Sequence, residues 1–568
     1  MTQGSELQRK SATAFQYALR KASDCLAKLN CEGVAVWGHV ASQLAWRNFP
    51  GFFCSEELES LLREAGSRVA GLPVSSEMTV VTPASDSAHG RLRVVHVLST
   101  AYATGGHTRL VARWISNRSD LSADEQHSAV LLDQGEQVVP EFLLEAVSQS
   151  GGRVYRIQNH SSYCDRAGQL RRFVGDNADL VVLHIHPDDP TCLLALADNA
   201  NGPTVVFFNH ADHVFSIGMS IASCVLDLRP SGLGVTKTER VTSRESMLLP
   251  LPLEDPYAGR SVIDAESLLQ MRVKARNLLG ISRTARVGLT IGQEYKYRAI
   301  GQVDFGSMVT RVLSGHQDRL ILAVGLPDRS RWAAIADSTA GRFRPLGVVE
   351  DPSLLQNLYQ AADFYLEGIP MGSATAMLDA GLYGLPLVRF RYLEEPLLSG
   401  DDVALDPIVP RYDDVRAYES GVERLCNASN DDLLHEGLLI RQAILSVHCG
   451  GAWSDSYLSP VMRAAVRSLG DCSPAGAAEA PLVGQHESGV SHPALTEILR
   501  GHNSDNLVML DAAADASLSV GMRFRLVCQA FRRGEVLSSS EGILMLLKVA
   551  IKLLPRSWVN RLKNLRAT

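Results

Sequence analysis

Residues 362–390 read ADFYLEGIPMGSATAMLDAGLYGLPLVRF. A short apolar run, ADFYLEG (362–368), ends with the acid Glu367, and Pro370, Met371 and Gly372 break it. A helical segment follows, in which Asp379 stands twelve residues after Glu367. Gly384-Leu385-Pro386 then ends the helix and starts a second apolar run, LPLVRF (385–390). Apolar runs without polar alternation are strands covered on both faces, and helices between them make parallel crossovers. Ser373 or Thr375 can cap the helix, whose free N–H groups point at the carboxyl edge of the sheet. That place suits a diphosphate. Asp379 lies one turn past Thr375, where a carboxylate accepts hydrogen bonds from ribose hydroxyls.

The same texture extends in both directions. ARVGLTIG (285–292), RLILAVGL (319–326) and FRPLGVV (343–349) precede the stretch, and DPSLLQNLYQAAD (351–363) reads as a helix with Asp351 as its cap. An earlier series holds RVVHVLS (93–99), HSAVLLD (127–133), DLVVLHIH (179–186), PTVVFFNH (203–210) and SCVLDLR (223–229). The fold class is therefore α/β, with two doubly wound Rossmann-like domains. The first spans 91–255 and the second 256–415, with a helical segment, 416–470, completing the core. Residues 1–90 carry helical spacing in AFQYALRKASDCLAKL and SEELESLLREAGSRVAGL, and form an N-terminal extension. Residues 471–489 read as a linker rich in small residues, and 490–568 as a helical C-terminal extension.

The whole chain agrees with this division. At 568 residues it has room for two to four units, and 46% hydrophobic residues fit large buried cores. A net charge of -7 gives no general drive toward nucleic acid. Ten cysteines lie scattered without C-x-x-C spacing, as in a cytoplasmic protein with reduced thiols. The N-terminus has no apolar run of a secretory signal. No window reaches eighteen uninterrupted apolar residues, so no spanning helix is expected.

In doubly wound sheets ligands sit at the carboxyl ends of the strands, so candidate groups are sought there. TGGHT (104–108) follows the first strand. Gly105 and Gly106 let the backbone approach a ligand, against the alternative of an ordinary strand-to-helix turn. HIHPDD (184–189) and NHADH (209–213) each end a buried strand, which makes His186, His210, Asp212 and His213 candidates for a general base or a polar ligand contact. No histidine pair has the i, i+4 spacing of a helical zinc site. IGQEYKYR (291–298) opens the second domain; Lys296 and Arg298 can reach a phosphate and Gln293 can hydrogen-bond beside it.

The order Tyr359-x-x-Ala362-Asp363, a strand ending in Glu367, a small-residue turn, Asp379 and Gly384-x-Pro386 resembles the nucleotide-sugar site of GT-B glycosyltransferases. In detail it is similar to the O-GlcNAc-transferase-like branch, with a likeness also to family 4 donor sites. The acid pair keeps the branch's twelve-residue spacing, and Gly372, Ser373, Ala374 and Thr375 fall in its turn, with Ala374 where the branch has a histidine. Many retaining members carry a pair of Glu residues eight apart; eight before Asp379 stands Met371.

The resemblance implies an acceptor domain at 91–255 and a nucleotide-sugar domain at 256–415. The donor is a nucleotide-diphosphate sugar, carrying UDP or GDP, and the acceptor a glycan, a lipid-linked glycan or a protein. No cofactor and no metal are implied. Gly105, Gly106, Gln293, Lys296, Glu367, Gly372, Ser373, Ala374, Thr375 and Asp379 would hold the donor, with the base near residues 347–354. His210, Asp212 and His186 would face the acceptor. A nucleotide-sugar epimerase on the same layout and a non-catalytic nucleotide-sugar-binding scaffold remain open. The tail 541–568 is apolar and basic, like an interfacial helix at the inner face of an anionic membrane; a helix docked on the protein explains it too.

Overall fold

The computed structural model describes residues 3–71, 78–82, 91–103, 106–119, 124–158, 161–197, 202–240, 245–260, 263–470, 492–499 and 527. The linker at 471–489 and the tail at 541–568 lie outside the described residues, as does Gly105.

The first sheet contains β1 (Thr79–Val80), β2 (Leu92–Leu98), β3 (Glu125–Leu131), β4 (Val154–Arg156), β5 (Leu180–His184), β6 (Thr204–Asn209), β7 (Cys224–Asp227) and β8 (Glu245–Leu248). Their spatial order is β1-β4-β3-β2-β5-β6-β7-β8. Every pair is parallel except β1 with β4, an antiparallel edge. The second sheet contains β9 (Arg286–Ile291), β10 (Arg319–Val324), β11 (Phe343–Gly347), β12 (Phe364–Leu366), β13 (Leu387–Phe390) and β14 (Arg411–Tyr412). Its order is β11-β10-β9-β12-β13-β14, parallel throughout. In each sheet the chain winds outward from a central strand, β2 or β9, returns, and winds out the other way. The direction reverses between β2 and β5 and between β9 and β12, where a doubly wound sheet opens a crevice.

All ten expected strands are present. The four unforeseen ones, β1, β4, β8 and β14, hold two to four residues each and are too short for a readable period. The helix Pro352–Ala361 starts where expected, with the Asp351 carboxylate accepting from Ser353 N. The helix Ala374–Leu382 ends as the Gly-x-Pro requires. Gly384 takes φ +81°, its N–H donates to Gly381 O, and Leu385 N–H donates to Ala380 O.

The described helices of the N-terminal segment are part of the first domain's core. The helices Gln3–Ala27, Cys31–Arg47 and Glu56–Val69 lay Phe15, Val34, Leu44 and Leu62 into the same cluster as Val95, Val97 and Leu183. Each such side chain contributes roughly 1.5–3 kcal/mol by leaving water. Buried Glu59 fixes the docking by accepting from Gly218 N and Ser220 N at 2.9 and 3.0 Å. The segment 416–470 divides between the domains. Tyr418, Val422, Ile440 and Ile444 pack in the second. Trp453, Leu458 and Val461 cross back to the other face of the first sheet, against Val94, Trp114 and Phe208.

Candidate active site

At the carboxyl end of β9 the chain passes through Gly292 into a single helical turn, Glu294–Tyr297. A Cβ on Gly292 would lie 2.8 Å from Ser373 Oγ, so this turn is pressed against the start of the helix Ala374–Leu382. Lys296 Nζ donates to Gly372 O at 2.9 Å, and Met371 N donates to Lys296 O at 3.3 Å. Lys296 therefore stands beside the helix start, as expected. Burial and the facing Arg229 lower its pKa to about 8. Ser373 occupies the cap position without making the expected side-chain cap, and Thr375 makes none either. Among the described residues no side chain caps the helix's first amides.

Across the cleft, a second helix begins at Gly106 and runs to Ser119. A Cβ at Gly106 would sit 3.7 Å from Thr375 Oγ1. Two helix starts, one from each domain, thus meet at Gly106 and Thr375. Asp379 follows one turn into its helix and is half-buried; among the described residues nothing hydrogen-bonds its carboxyl. Burial raises its pKa to about 6, while Arg113 and Arg109 on the opposing helix favour the ionised form.

The other expected residues fall elsewhere. Glu367 is fully buried behind the turn, not at its open face. Its Oε2 accepts from Phe390 N at 2.9 Å, and Cβ atoms on Gly372 or Gly400 would overlap Oε1 at 2.0 and 1.8 Å. Burial pushes its pKa up to about 7, against the pull of Arg389. Gln293 is exposed on the turn. Arg298 is spent: it donates to the carbonyls of Glu497 and Ile498 at the end of the helix Pro493–Leu499.

Asp212 is not a free base. Arg229 Nε and Nη2 donate to its two oxygens at 2.6 and 2.9 Å, and Gly232 leaves room for it only because it lacks a Cβ. Arg229 also donates to Leu397 O at 2.8 Å and to Ser399 O, so the pair clasps the two domains together. Ser231 adds bonds to Asp401 from its N–H at 2.7 Å and its hydroxyl at 2.6 Å. His213 leans on Asp212 at 3.3 Å.

His186 and His210 do reach the cleft, together with His107, which the sequence reading passed over. His107 and His210 rings lie 4.3 Å apart, and His107 Nε2 donates to His184 O at 3.0 Å. Burial, then His186, lowers the His107 pKa to about 4. Tyr102 stacks on His186 at 5.8 Å, with its hydroxyl 3.3 Å from Nε2. The site is thus an anion-suited floor from the second domain, roofed by imidazoles from the first. Among the described residues no cluster of three or more His, Cys, Asp or Glu has metal-holding geometry, and no helix is long and apolar enough to cross a membrane.

No protein-family model matches this sequence, and no curated protein matches it. Among solved structures, it is similar to an O-GlcNAc transferase mutant of Thermobaculum terrenum (14% identity, 82% of this chain and 87% of that one, TM-score 0.48). It is similar to a glycosyltransferase of Rickettsia africae (11%, 67% and 99%, TM-score 0.49). It is also similar to a lipopolysaccharide outer core galactosyltransferase (13%, 66% and 100%, TM-score 0.46). The fold assignment itself rests on the strand orders given above.

Proposed function

We propose that this chain is a GT-B glycosyltransferase, moving a glycosyl group from a nucleotide-diphosphate sugar to a hydroxyl of a glycan, lipid-linked or protein acceptor. One observation carries the reading: the two helix starts that meet at Gly106 and Thr375, with the Lys296 ammonium beside them. A leaving diphosphate develops negative charge, and uncapped helix amides with a lysine stabilise charge at that position. Asp379, one turn inward and with no hydrogen bond to its carboxyl among the described residues, suits the ribose hydroxyls. The base lies beyond β11, where Gly347 adopts a positive φ and Val348 is 80% exposed.

His210 and His186 face the acceptor, and His210 takes the proton of its hydroxyl. Lys296 and the amides do the work a metal would do, so transfer is expected to survive chelator. The basic tail at 541–568 supports a cytoplasmic enzyme touching an anionic membrane surface. The test is incubation with a panel of nucleotide sugars and a cell extract, with and without chelator. Released nucleoside diphosphate with a labelled product supports the proposal. Interconversion of the donor without transfer points to an epimerase, and binding without turnover to a scaffold; either result overturns it.

A further inference from the structure

Four histidines cross the first sheet in one diagonal. His127 on β3 pairs with Val94 of β2, two residues before His96. His96 pairs with Val182 of β5, two before His184. Leu183 pairs with Phe207 of β6, which puts Phe208 beside His184 and His210 two further on. Steps of two keep every imidazole on the same face. The ring centroids stand 5.3, 5.2 and 5.1 Å apart along the row. His127, His96 and His184 are fully buried and His210 is partly buried at the cleft end.

The rings are hydrogen-bonded head to tail. His127 Nδ1 is 3.0 Å from His96 Nε2, His96 Nδ1 is 3.0 Å from His184 Nε2, and His184 Nδ1 is 2.8 Å from His210 Nε2. At the far end His127 Nε2 is 3.2 Å from Glu125 Oε2. Glu125 is gripped by Arg118, whose Nε donates to Oε2 at 2.9 Å and whose Nη2 donates to Oε1.

That anchor gives the row a direction. A carboxylate only accepts, so His127 must carry its proton on Nε2. A neutral imidazole then has only a lone pair on Nδ1, so His96 must donate from Nε2, and the same rule passes through His184 to His210. We propose that Glu125, through His127, His96 and His184, fixes His210 in the tautomer with its proton on Nε2, leaving the Nδ1 lone pair as the proton acceptor of the cleft. The aligned N–H···N bonds polarise one another, which favours the imidazolium that forms at His210. In the step itself one acceptor O–H bond breaks and one Nδ1–H bond forms; no proton need leave His210.

The surroundings agree. Burial first, then neighbouring imidazoles, holds His96, His184 and His210 below the ordinary histidine range, so these three rings stay neutral. Burial opposes the charge on Glu125, but Arg118 and His127 pull its pKa down to about 2. The groups facing His210 are His184, His107 and His186; those facing Glu125 are Arg118 and His127, with Asp455 near Arg118.

The tautomer assignment is independent of the glycosyl-transfer reading; the proton-acceptor role rests on it. Solid-state NMR of the full chain labelled with ¹³C,¹⁵N-histidine reads each ring's tautomer, with His210 assigned by its loss in His210→Asn. The expected result is Nε2–H at His127, His96, His184 and His210. Any of the four with Nδ1–H in the unsubstituted protein overturns the proposal, whatever the enzyme transfers. In Glu125→Gln, whose amide also donates, an Nδ1–H fraction should appear at His210; an unchanged ring overturns it. That variant should lower kcat by roughly ten- to a hundredfold at unchanged donor affinity. Full kcat in Glu125→Gln removes the relay from the chemistry. A wild-type protein with no transfer at all but the expected tautomers would instead count against the function alone.

Discussion

In the first sheet the buried polar side chains cross the middle: His127, His96, His184 and His210 step from strand to strand. In the second sheet, wound in the same order about its central strand, the buried carboxylates Asp363 and Glu367 stand at the strand ends. Asp363 at the amino end takes Arg276 at 2.6 Å, Arg272 at 3.1 Å and the Val287 amide at 2.7 Å. Glu367 at the carboxyl end sits near Arg389, which is itself held by Gly400 O and Asp406 at 2.6 Å. Fixed charges must be compensated where they stand, since an unpaired buried charge costs several kcal/mol. Neutral imidazoles bond one another and can run through a core. On the proposed function, one scaffold would give two services: a fixed electrostatic cradle in the second domain and a directed proton acceptor in the first.

The sharpest test of the cradle is Lys296→Met. If the ammonium offsets diphosphate charge, turnover should fall by about a hundred- to a thousandfold, as when one stabilising donor is removed from a transition state. Single-turnover release of nucleoside diphosphate measures it. The cation is present below its pKa of about 8 and lost above it. Donor affinity of the unsubstituted protein should therefore decline as pH rises past 8; affinity flat to pH 9.5 would remove Lys296 from the site.

Next in size is the brace behind the cradle. In Gly400→Ala the new methyl would meet Glu367 Oε1 at 1.8 Å, with Arg389 closing the other side. A loss of roughly 1–3 kcal/mol in unfolding free energy is expected. Chemical denaturation reads it, and recovery in the double variant with Glu367→Ala would show that the overlap is the cause. An unaltered Gly400→Ala midpoint would mean that Glu367 swings aside at little cost, and that the second domain's charges are less fixed than the comparison holds.

Smaller again is the staple joining the two halves. His492 lies between Glu395 of the second domain, at 2.7 Å, and Glu239 of the first, at 3.1 Å. Burial works against its charge, but the two carboxylates outweigh this and lift its pKa to about 9. A raised folded pKa means the stabilisation is complete below the ordinary value near 6.5 and is lost as pH rises through 9. Between pH 7 and 9.5 the wild type should lose about 1–2 kcal/mol relative to His492→Gln, a few degrees of Tm. Parallel Tm curves for the two proteins would dismiss the staple.

The fold was legible because buried parallel strands are apolar throughout and their helices are punctuated by Asp351 and Gly384. The placement of Lys296 and Asp379 beyond strand ends was legible because each follows an apolar run in sequence. Pairings across the chain were not. Nothing near Asp212 announces Arg229 seventeen residues on, and nothing near Arg298 announces a helix end two hundred residues away. Glu367 has the spacing of a ligand contact, yet Gly372 and Gly400 close over it. The histidine row had a signal that went unused: one histidine inside or just beyond each of four apolar strands. Only the register, a shift of two residues per strand, turns those four letters into a line.

That leaves Asp379, where the expected effect is the smallest and the two domains meet. Among the described residues its carboxyl has no hydrogen bond to lose, so Asp379→Asn should leave folding nearly unchanged and weaken nucleotide binding by roughly three- to tenfold, the difference between a hydrogen bond to a charged acceptor and one to a neutral acceptor. Burial holds its pKa near 6, above the ordinary 3.8, so the charged acceptor is lost as pH falls through 6. Nucleotide affinity by calorimetry should drop over that window in the wild type and stay level in Asp379→Asn. Stability has the opposite sign: a raised carboxyl pKa makes the fold more stable as the proton goes on, so weaker binding at pH 5 cannot be read as Asp379 loosening the fold. If affinity is level in both proteins, the ribose lies elsewhere, and Arg113 and Arg109 across the cleft are the groups Asp379 serves.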